Sequence, residues 1–376
     1  MSRVQEIGQG GAGAMEPAAD PKRLRWRLVD FWRGVALVIM CIDHLPAHPL
    51  QRFTPAMLGF SDVAAWFVLL SGFATAESYS WRLGQASTGR VWLHACKRAL
   101  VLYGGTLVLV VGAFLLLRGG PFWDAPLVGP WLYPGLAGFE VEPLRWVGDT
   151  LSLGQIPRFA HVLVLFIVLL VLSVPMLTLE RRCRHSSLLV SAAIYGITQG
   201  VWSLETWHDG FFHPLSWQVL FVAGMWLSQN RELWMRRSAA NIWVLGLAVA
   251  TLLLCLLVRR SYRFEESAPW LSWLWPQADK GLLQWGYLAH ACLVIFVLGS
   301  LMTEDRCRRL PYVGWICVIG AYPLLSFVIG TLLSYVAIVL FSPWMDWWLG
   351  CAVVAGIQAT LWMATLLWRR LRSAPR

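Results

Sequence analysis

Residues 156–179 read IPRFAHVLVLFIVLLVLSVPMLTL, a stretch whose only charged side chain is Arg158, near its start. A helix rises about 1.5 Å per residue and the hydrocarbon core of a bilayer is about 30 Å thick, so about twenty apolar residues cross it. Nine other segments are similarly apolar: 28–46, 60–81, 92–117, 188–204, 214–228, 241–258, 283–302, 320–341 and 347–371. The pattern predicts an all-α fold, a polytopic transmembrane helical bundle of about ten helices.

The composition agrees with a membrane protein. Hydrophobic residues make up 57% of the 376 residues and charged residues 14%, whereas soluble domains carry roughly a quarter charged residues. No long polar block separates the apolar segments, so residues 23–376 are predicted to form one integral membrane domain. Residues 1–22 are rich in Gly and Ala and lack the apolar core of a signal peptide, which predicts a disordered cytoplasmic tail.

Basic residues indicate the orientation. With ten spans, most of the 31 Lys and Arg residues fall on one side of the membrane, in clusters at 22–27, 82–98, 181–184, 231–237, 306–309 and 369–376. Cytoplasmic loops carry such an excess, so we predict cytoplasmic termini and a bacterial inner-membrane location. The net charge of +10 is then explained by membrane flanks, and no nucleic-acid partner is predicted. The long opposite loops at 119–155 and 259–282 could cover a site.

The first segment carries four ionisable residues, Asp30, Arg33, Asp43 and His44. Such groups are costly in a membrane and by default suggest function. Arg33 and His44 are eleven residues apart, which places them within about 20° on one helix face and roughly 16 Å apart along the axis. In the predicted topology Arg33 lies toward the cytoplasm and His44 toward the periplasm. An equally weighted alternative is a structural Asp30–Arg33 pair and a wetted helix-end histidine.

This arrangement suits transfer of a group across the membrane. His44 would act as general base on an acceptor hydroxyl, with Asp43 or another carboxylate orienting it. Arg33 would hold an anionic or carbonyl part of the donor. Asp62, at the start of the second segment, would orient the base or bind acceptor hydroxyls; its alternative role is a helix N-cap.

Several blocks of sequence resemble a known family. Arg33, followed by ten residues and then His44, resembles the motif of the membrane acyltransferase 3 superfamily. A closer resemblance, to the OpgC family, is carried by LVDFWRG at 28–34, DHLP at 43–46, GFSD at 59–62, SGF at 71–73 and FFHPLSWQVLF at 211–221. This resemblance implies an O-acyltransferase that moves succinyl from succinyl-CoA to osmoregulated periplasmic glucans.

The resemblance also implies roles for residues outside the first segment. Lys97 and Arg98 would join Arg33 in binding the CoA phosphates, although both are equally ordinary positive-inside flanks. Ser71 would support the site, although small residues at mid-span more often serve helix packing. Acyl-CoA is then a co-substrate, a glucan the acceptor, and the bilayer the surroundings. No cofactor and no metal are predicted, and the oligomeric state stays open.

Two other function classes remain as alternatives. Buried Asp, Arg and His residues also mark the ion or proton pathways of secondary transporters. We find no repeated half-chain pattern of the kind many transporters show, which makes this alternative weaker. A purely structural membrane scaffold would leave the intramembrane charges without a purpose.

Overall fold

The computed structural model describes residues 26–45, 49–119, 131–201, 212–231, 242–264, 279–310, 313–341 and 346–373. Within these residues the regular elements are helices, and none is a strand. The predicted all-α fold is therefore confirmed. The predicted tail at 1–22 and parts of both long loops lie outside the described residues.

The α-helices bounded within the described residues are α1 Arg27–Asp43, α2 Pro55–Leu58, α3 Val63–Leu83, α4 Thr88–Gly119, α5 Gly138–Val141, α6 Pro143–Leu151, α7 His161–Arg182, α8 Ser186–Val201, α9 Pro214–Gln229, α10 Ile242–Phe264, α11 Trp285–Leu301, α12 Glu304–Arg309, α13 Gly314–Ala321, α14 Pro323–Phe341 and α15 Trp347–Ser373. Each of the ten predicted apolar segments overlaps one of the longer helices.

Five helices in the described residues are long and apolar enough to cross a membrane: Thr88–Arg118, His161–Arg182, Ile242–Arg259, Pro323–Phe341 and Trp347–Leu371. Ser186–Val201 and Trp285–Leu301 are apolar but shorter. Since an apolar helix of this length is stable in the hydrocarbon core of a bilayer, these helices indicate a membrane protein.

The segment predicted as one helix at 320–341 is interrupted in the structure. Helix α13 ends at Ala321 and α14 begins at Pro323, with Tyr322 between them outside any helix. Proline lacks a backbone N–H and disfavours helical geometry in the residue before it. The helix predicted at 320–341 therefore begins at Pro323, three residues later than the segment, and residues 320 and 321 belong to the preceding helix.

Helices α3 and α9 cross with their backbones in contact. A Cβ atom added to Gly72 of α3 would lie 1.9 Å from the carbonyl oxygen of Phe221, and one added to Gly224 of α9 would lie 1.9 Å from that of Leu69. Only residues without a side chain allow this approach. The two glycines therefore fix the spacing of α3 and α9.

Helices α1 and α13 meet in the same way. A Cβ atom on Gly34 of α1 would lie 2.1 Å from the carbonyl oxygen of Ile316, and one on Gly320 of α13 would lie 1.8 Å from that of Asp30. Glu304 fixes the start of α1. Its carboxylate accepts hydrogen bonds from the backbone N–H groups of Arg27 and Leu28, the first two residues of that helix. These contacts hold the charged first helix against α12 and α13.

Candidate active site

A cavity of about 840 Å³ lies among α1, α3, α4, α7 and α14. It is lined by Arg33 of α1, Ser71 of α3 and Arg98 of α4, three of the residues predicted from the sequence. Ligand sites commonly occupy about 300–1,000 Å³ and combine apolar walls with a few polar groups. The cavity has the size and composition of a small-molecule site.

One wall of the cavity is basic. Arg82 and His94 line it together with Arg33 and Arg98. The charges of Arg82 and Arg98 act on His94, and the guanidinium carbon of Arg33 lies 5.8 Å from the centre of the Phe67 ring. Such a wall favours an anionic ligand. His94 was not among the residues predicted from the sequence, although its spacing of four from Arg98 places both residues on one helix face.

Lys97 and Arg98, predicted together as donor-binding residues, have different surroundings. Both residues are exposed, but Arg98 lines the cavity and Lys97 does not. Consecutive helix residues point about 100° apart, so neighbouring side chains can face different surroundings. The structure therefore places only Arg98 of this pair at the cavity.

His44 follows the last residue of α1 and is buried, with 9% of its surface exposed. Its ring stacks on Phe159 with centroids 3.8 Å apart and meets the edge of Phe327 at 6.3 Å. Among the described residues its Nδ1 atom has no hydrogen-bond partner. His44 does not line the cavity, but Phe327 does, so this phenyl ring connects the two predicted ends of the site.

The segment that covers His44 comes from the first long loop and from the start of the apolar segment that follows this loop. Phe159 has a φ of 71°, a left-handed value uncommon for a bulky residue. The neighbouring Arg158 anchors it, because its backbone N–H donates to Leu132 at 2.9 Å and its carbonyl accepts from the Tyr335 hydroxyl at 2.5 Å. The Trp131 ring lies 5.9 Å from Phe159. The described part of the loop thus lies over the histidine.

Tyr133 stabilises this covering segment. Burial raises the pKa of Tyr133 to about 12, so the hydroxyl keeps its proton. It donates that proton to the carbonyl oxygen of Gln155 at 3.1 Å. The bond joins residues 22 positions apart and closes the covering segment on itself.

Asp62 makes several contacts near the C-terminal end of α1, where His44 lies. Its carboxylate accepts hydrogen bonds from the Ala64 backbone N–H and the Tyr287 hydroxyl, both at 2.8 Å, and forms an ion pair with Lys280. It is thus the N-cap of α3. Its charge and that of Lys280 act on His44, although no hydrogen bond joins Asp62 to His44.

The predicted supporting residues are distributed along the site. Asp30 is buried one turn before Arg33, and Asp43 ends α1, where its carbonyl accepts from the Gln51 side chain at 3.0 Å. The charges of Asp62 and Lys280 act on Asp43 as well. Helix α1 therefore carries two polar regions, one at the cavity and one around the C-terminal end of the helix.

Lys280 and Tyr287 were not among the residues predicted from the sequence. They lie 218 and 225 residues away from Asp62 along the chain, so no local spacing predicts their contact with it. The one signal was compositional, because lysine occurs in this chain only at 22, 97 and 280.

Comparison with known proteins gives one match. The family model described as OpgC protein matches residues 24–373, which include both polar regions of α1. No curated protein and no solved structure gives a match. The chain therefore belongs to the OpgC family, and this membership indicates an acyltransferase-like role in glucan modification.

Proposed function

We propose that this protein is a transmembrane O-acyltransferase that transfers succinyl from cytoplasmic acyl-CoA to hydroxyl groups of a periplasmic glucan. The proposal includes ten spans, cytoplasmic termini and a bacterial inner-membrane location. Family membership supports acyl transfer in glucan modification. The observation that carries the rest is the pairing, on one helix, of a basic cavity around Arg33 with a buried histidine, His44.

The two polar regions support different parts of the reaction. An acyl-CoA is anionic at one end and carries its thioester at the end of a long arm, which suits the roughly 16 Å between Arg33 and His44. Arg33 and Arg98 bind the anionic end in the cavity. His44 meets the acceptor, where a covered and largely dry site strengthens the electrostatic interactions of the reacting groups.

The proposed chemistry is a single transfer without an acyl-enzyme. Nδ1 of His44 removes the proton from the acceptor hydroxyl, and the oxygen attacks the thioester carbonyl carbon. A C–O bond forms, the C–S bond breaks, and the leaving thiolate takes the proton to give CoA thiol and a glucan ester. The positive charge of Lys280 opposes the protonated imidazole that forms in this step, and the negative charge of Asp62 favours it.

The test is donor-dependent acylation. Periplasmic glucans from strains with and without the gene are compared by mass spectrometry, and purified protein in proteoliposomes receives succinyl-CoA on one side and glucan on the other. We expect succinyl esters only with the protein and the donor. Glucan without esters contradicts the proposal, and solute flux in the absence of any acyl donor supports the transporter alternative instead.

Arg98 and Lys97 provide a matched pair for the donor site. We expect Arg98→Gln to raise the KM for acyl-CoA roughly 10-fold, which corresponds to about 1.4 kcal/mol of binding free energy. Lys97→Gln removes the same charge from the adjacent position, which does not line the cavity, and should change KM less than about 2-fold on the scale of an exposed charge. Steady-state kinetics with varied acyl-CoA measures both values; equal effects would argue against donor binding in this cavity.

A further inference from the structure

Lys280 belongs to the polar region at the C-terminal end of α1. Its ammonium forms an ion pair with Asp62, which is held in place by the Tyr287 hydroxyl at 2.8 Å. The Lys280 side chain is 44% exposed, whereas that of Asp62 is 15% exposed. Lys280 is also the cation whose charge acts on His44 among the described residues. A half-exposed positive charge therefore lies within electrostatic range of the proposed base.

The backbone around Lys280 is fixed by helix α9. The indole N–H of Trp217 donates to the Lys280 carbonyl oxygen at 2.9 Å, and the His213 backbone N–H donates to that of Gly281, also at 2.9 Å. The ammonium lies 4.9 Å from the centre of the Phe212 ring, within the range of a cation–π contact. These contacts hold the lysine in a defined position, as a binding residue requires.

The ammonium of Lys280 has donors to spare for a second anion. It carries three N–H donors, and Asp62 accepts one hydrogen bond from it. A carboxylate that enters a covered site loses hydration and needs a charged partner, and such charge-assisted hydrogen bonds are the strong ones. A lysine ammonium is a compact charge on a flexible stem, suited to a position between two carboxylates.

We infer that Lys280 binds the free carboxylate of a dicarboxylic acyl group and thereby selects succinyl over uncharged acyl groups. This inference rests on the proposed function. As the acceptor oxygen bonds to the acyl carbon and the C–S bond breaks, the hydroxyl proton passes to His44 and then to the thiolate. The succinyl carboxylate, which takes no part in these bond changes, stays on Lys280.

The dimensions of the acyl group agree with this position. In succinyl the reacting carbonyl carbon and the carboxylate carbon are separated by three carbon–carbon bonds of about 1.5 Å each. The carbonyl must lie next to the hydroxyl that His44 activates, so the carboxylate must find its cation close to His44. Lys280 pairs with Asp62 and its charge acts on His44, whereas Arg33 lies roughly three helical turns away.

The experiment compares succinyl-CoA with butyryl-CoA, which has the same chain length but no carboxylate. We expect Lys280→Gln to lower the ratio of kcat/KM for succinyl-CoA to that for butyryl-CoA roughly 10- to 100-fold, the effect of losing a hydrogen bond between charged groups. The ratio is the readout because any change that the lost charge causes at Asp62 and His44 is shared by both donors. Lys280→Arg keeps the charge and should keep most of the preference. Arg145→Gln removes a cation that is 74% exposed on α6 and should change neither donor.

The possible outcomes separate the explanations. Equal losses with both donors in Lys280→Gln would overturn the inference, because they indicate a role in folding or in stabilising the reacting carbonyl. An unchanged ratio of the two donors would also overturn it. Absence of transfer from either donor in the wild-type protein would instead contradict the proposed function. Size-exclusion profiles of all variants show whether a loss reflects unfolding.

Discussion

Replacing His44 by phenylalanine should lower glucan acylation by at least about 10²-fold, because a general base typically contributes 10²- to 10⁴-fold to the rate. The phenyl ring can keep the stacking on Phe159, which brings ring centroids to 3.8 Å, while removing both ring nitrogens. His44→Ala removes the ring as well and should show the same catalytic loss. The measurement is kcat at saturating acyl-CoA, together with the succinyl content of glucans in cells.

A histidine elsewhere serves as the control for this substitution. His185 accepts a hydrogen bond from the Trp226 indole at 2.8 Å and does not line the cavity. His185→Phe should therefore keep kcat within about 3-fold of the wild-type value, as a site outside the reaction does. Wild-type acylation by His44→Phe at normal abundance would remove His44 from the role of base.

The helices were predictable because hydrophobic burial and backbone hydrogen bonding both act locally along an apolar run. Helix α7, for example, begins within five residues of the start predicted for its segment. The interruption at Tyr322 was missed because the surrounding residues are continuously apolar. The signal for it was Pro323, whose effect on the preceding residue is also local.

The candidate site was predictable only in part. Helical periodicity placed Arg33 and His44 on one face, and the structure adds that only Arg33 lines the cavity. The same periodicity separates Ser71, which lines the cavity, from Gly72, which packs on α9. Tertiary packing decides which face of a helix meets an empty space, and a single helix carries no information about that.

The contacts around Asp62 could not be predicted from spacing. Its partners come from a loop and a helix more than two hundred residues away, brought together by the packing of α3, α9 and α11. The N-cap role, in contrast, depends on Ala64 two residues later and was weighed from the sequence. Local contacts follow from local sequence, whereas the charge environment of the site follows from the fold.

The crossing of α3 and α9 gives the prediction with the largest expected effect on stability. An added methyl group at Gly72 would lie 1.9 Å from the Phe221 carbonyl oxygen, a backbone atom that cannot rotate away. Gly72→Ala must therefore push the helices apart, at a cost of about 2 kcal/mol or more. Because Ser71 is the next residue and lines the cavity, we expect both thermal stability in detergent and acyl transfer to fall.

Glycines with open surroundings provide the matched control. A Cβ atom on Gly196 of α8 would meet nothing within 4 Å, so Gly196→Ala should be neutral or stabilise the helix by about 0.5–1 kcal/mol. Gly224→Ala should resemble Gly72→Ala, and the double variant should cost less than the sum, because helices already separated by one methyl group accommodate the second. Thermal unfolding, detected by size-exclusion chromatography, measures the stability of all four variants. Equal stability of Gly72→Ala and Gly196→Ala would mean that backbone contact does not set the spacing of α3 and α9.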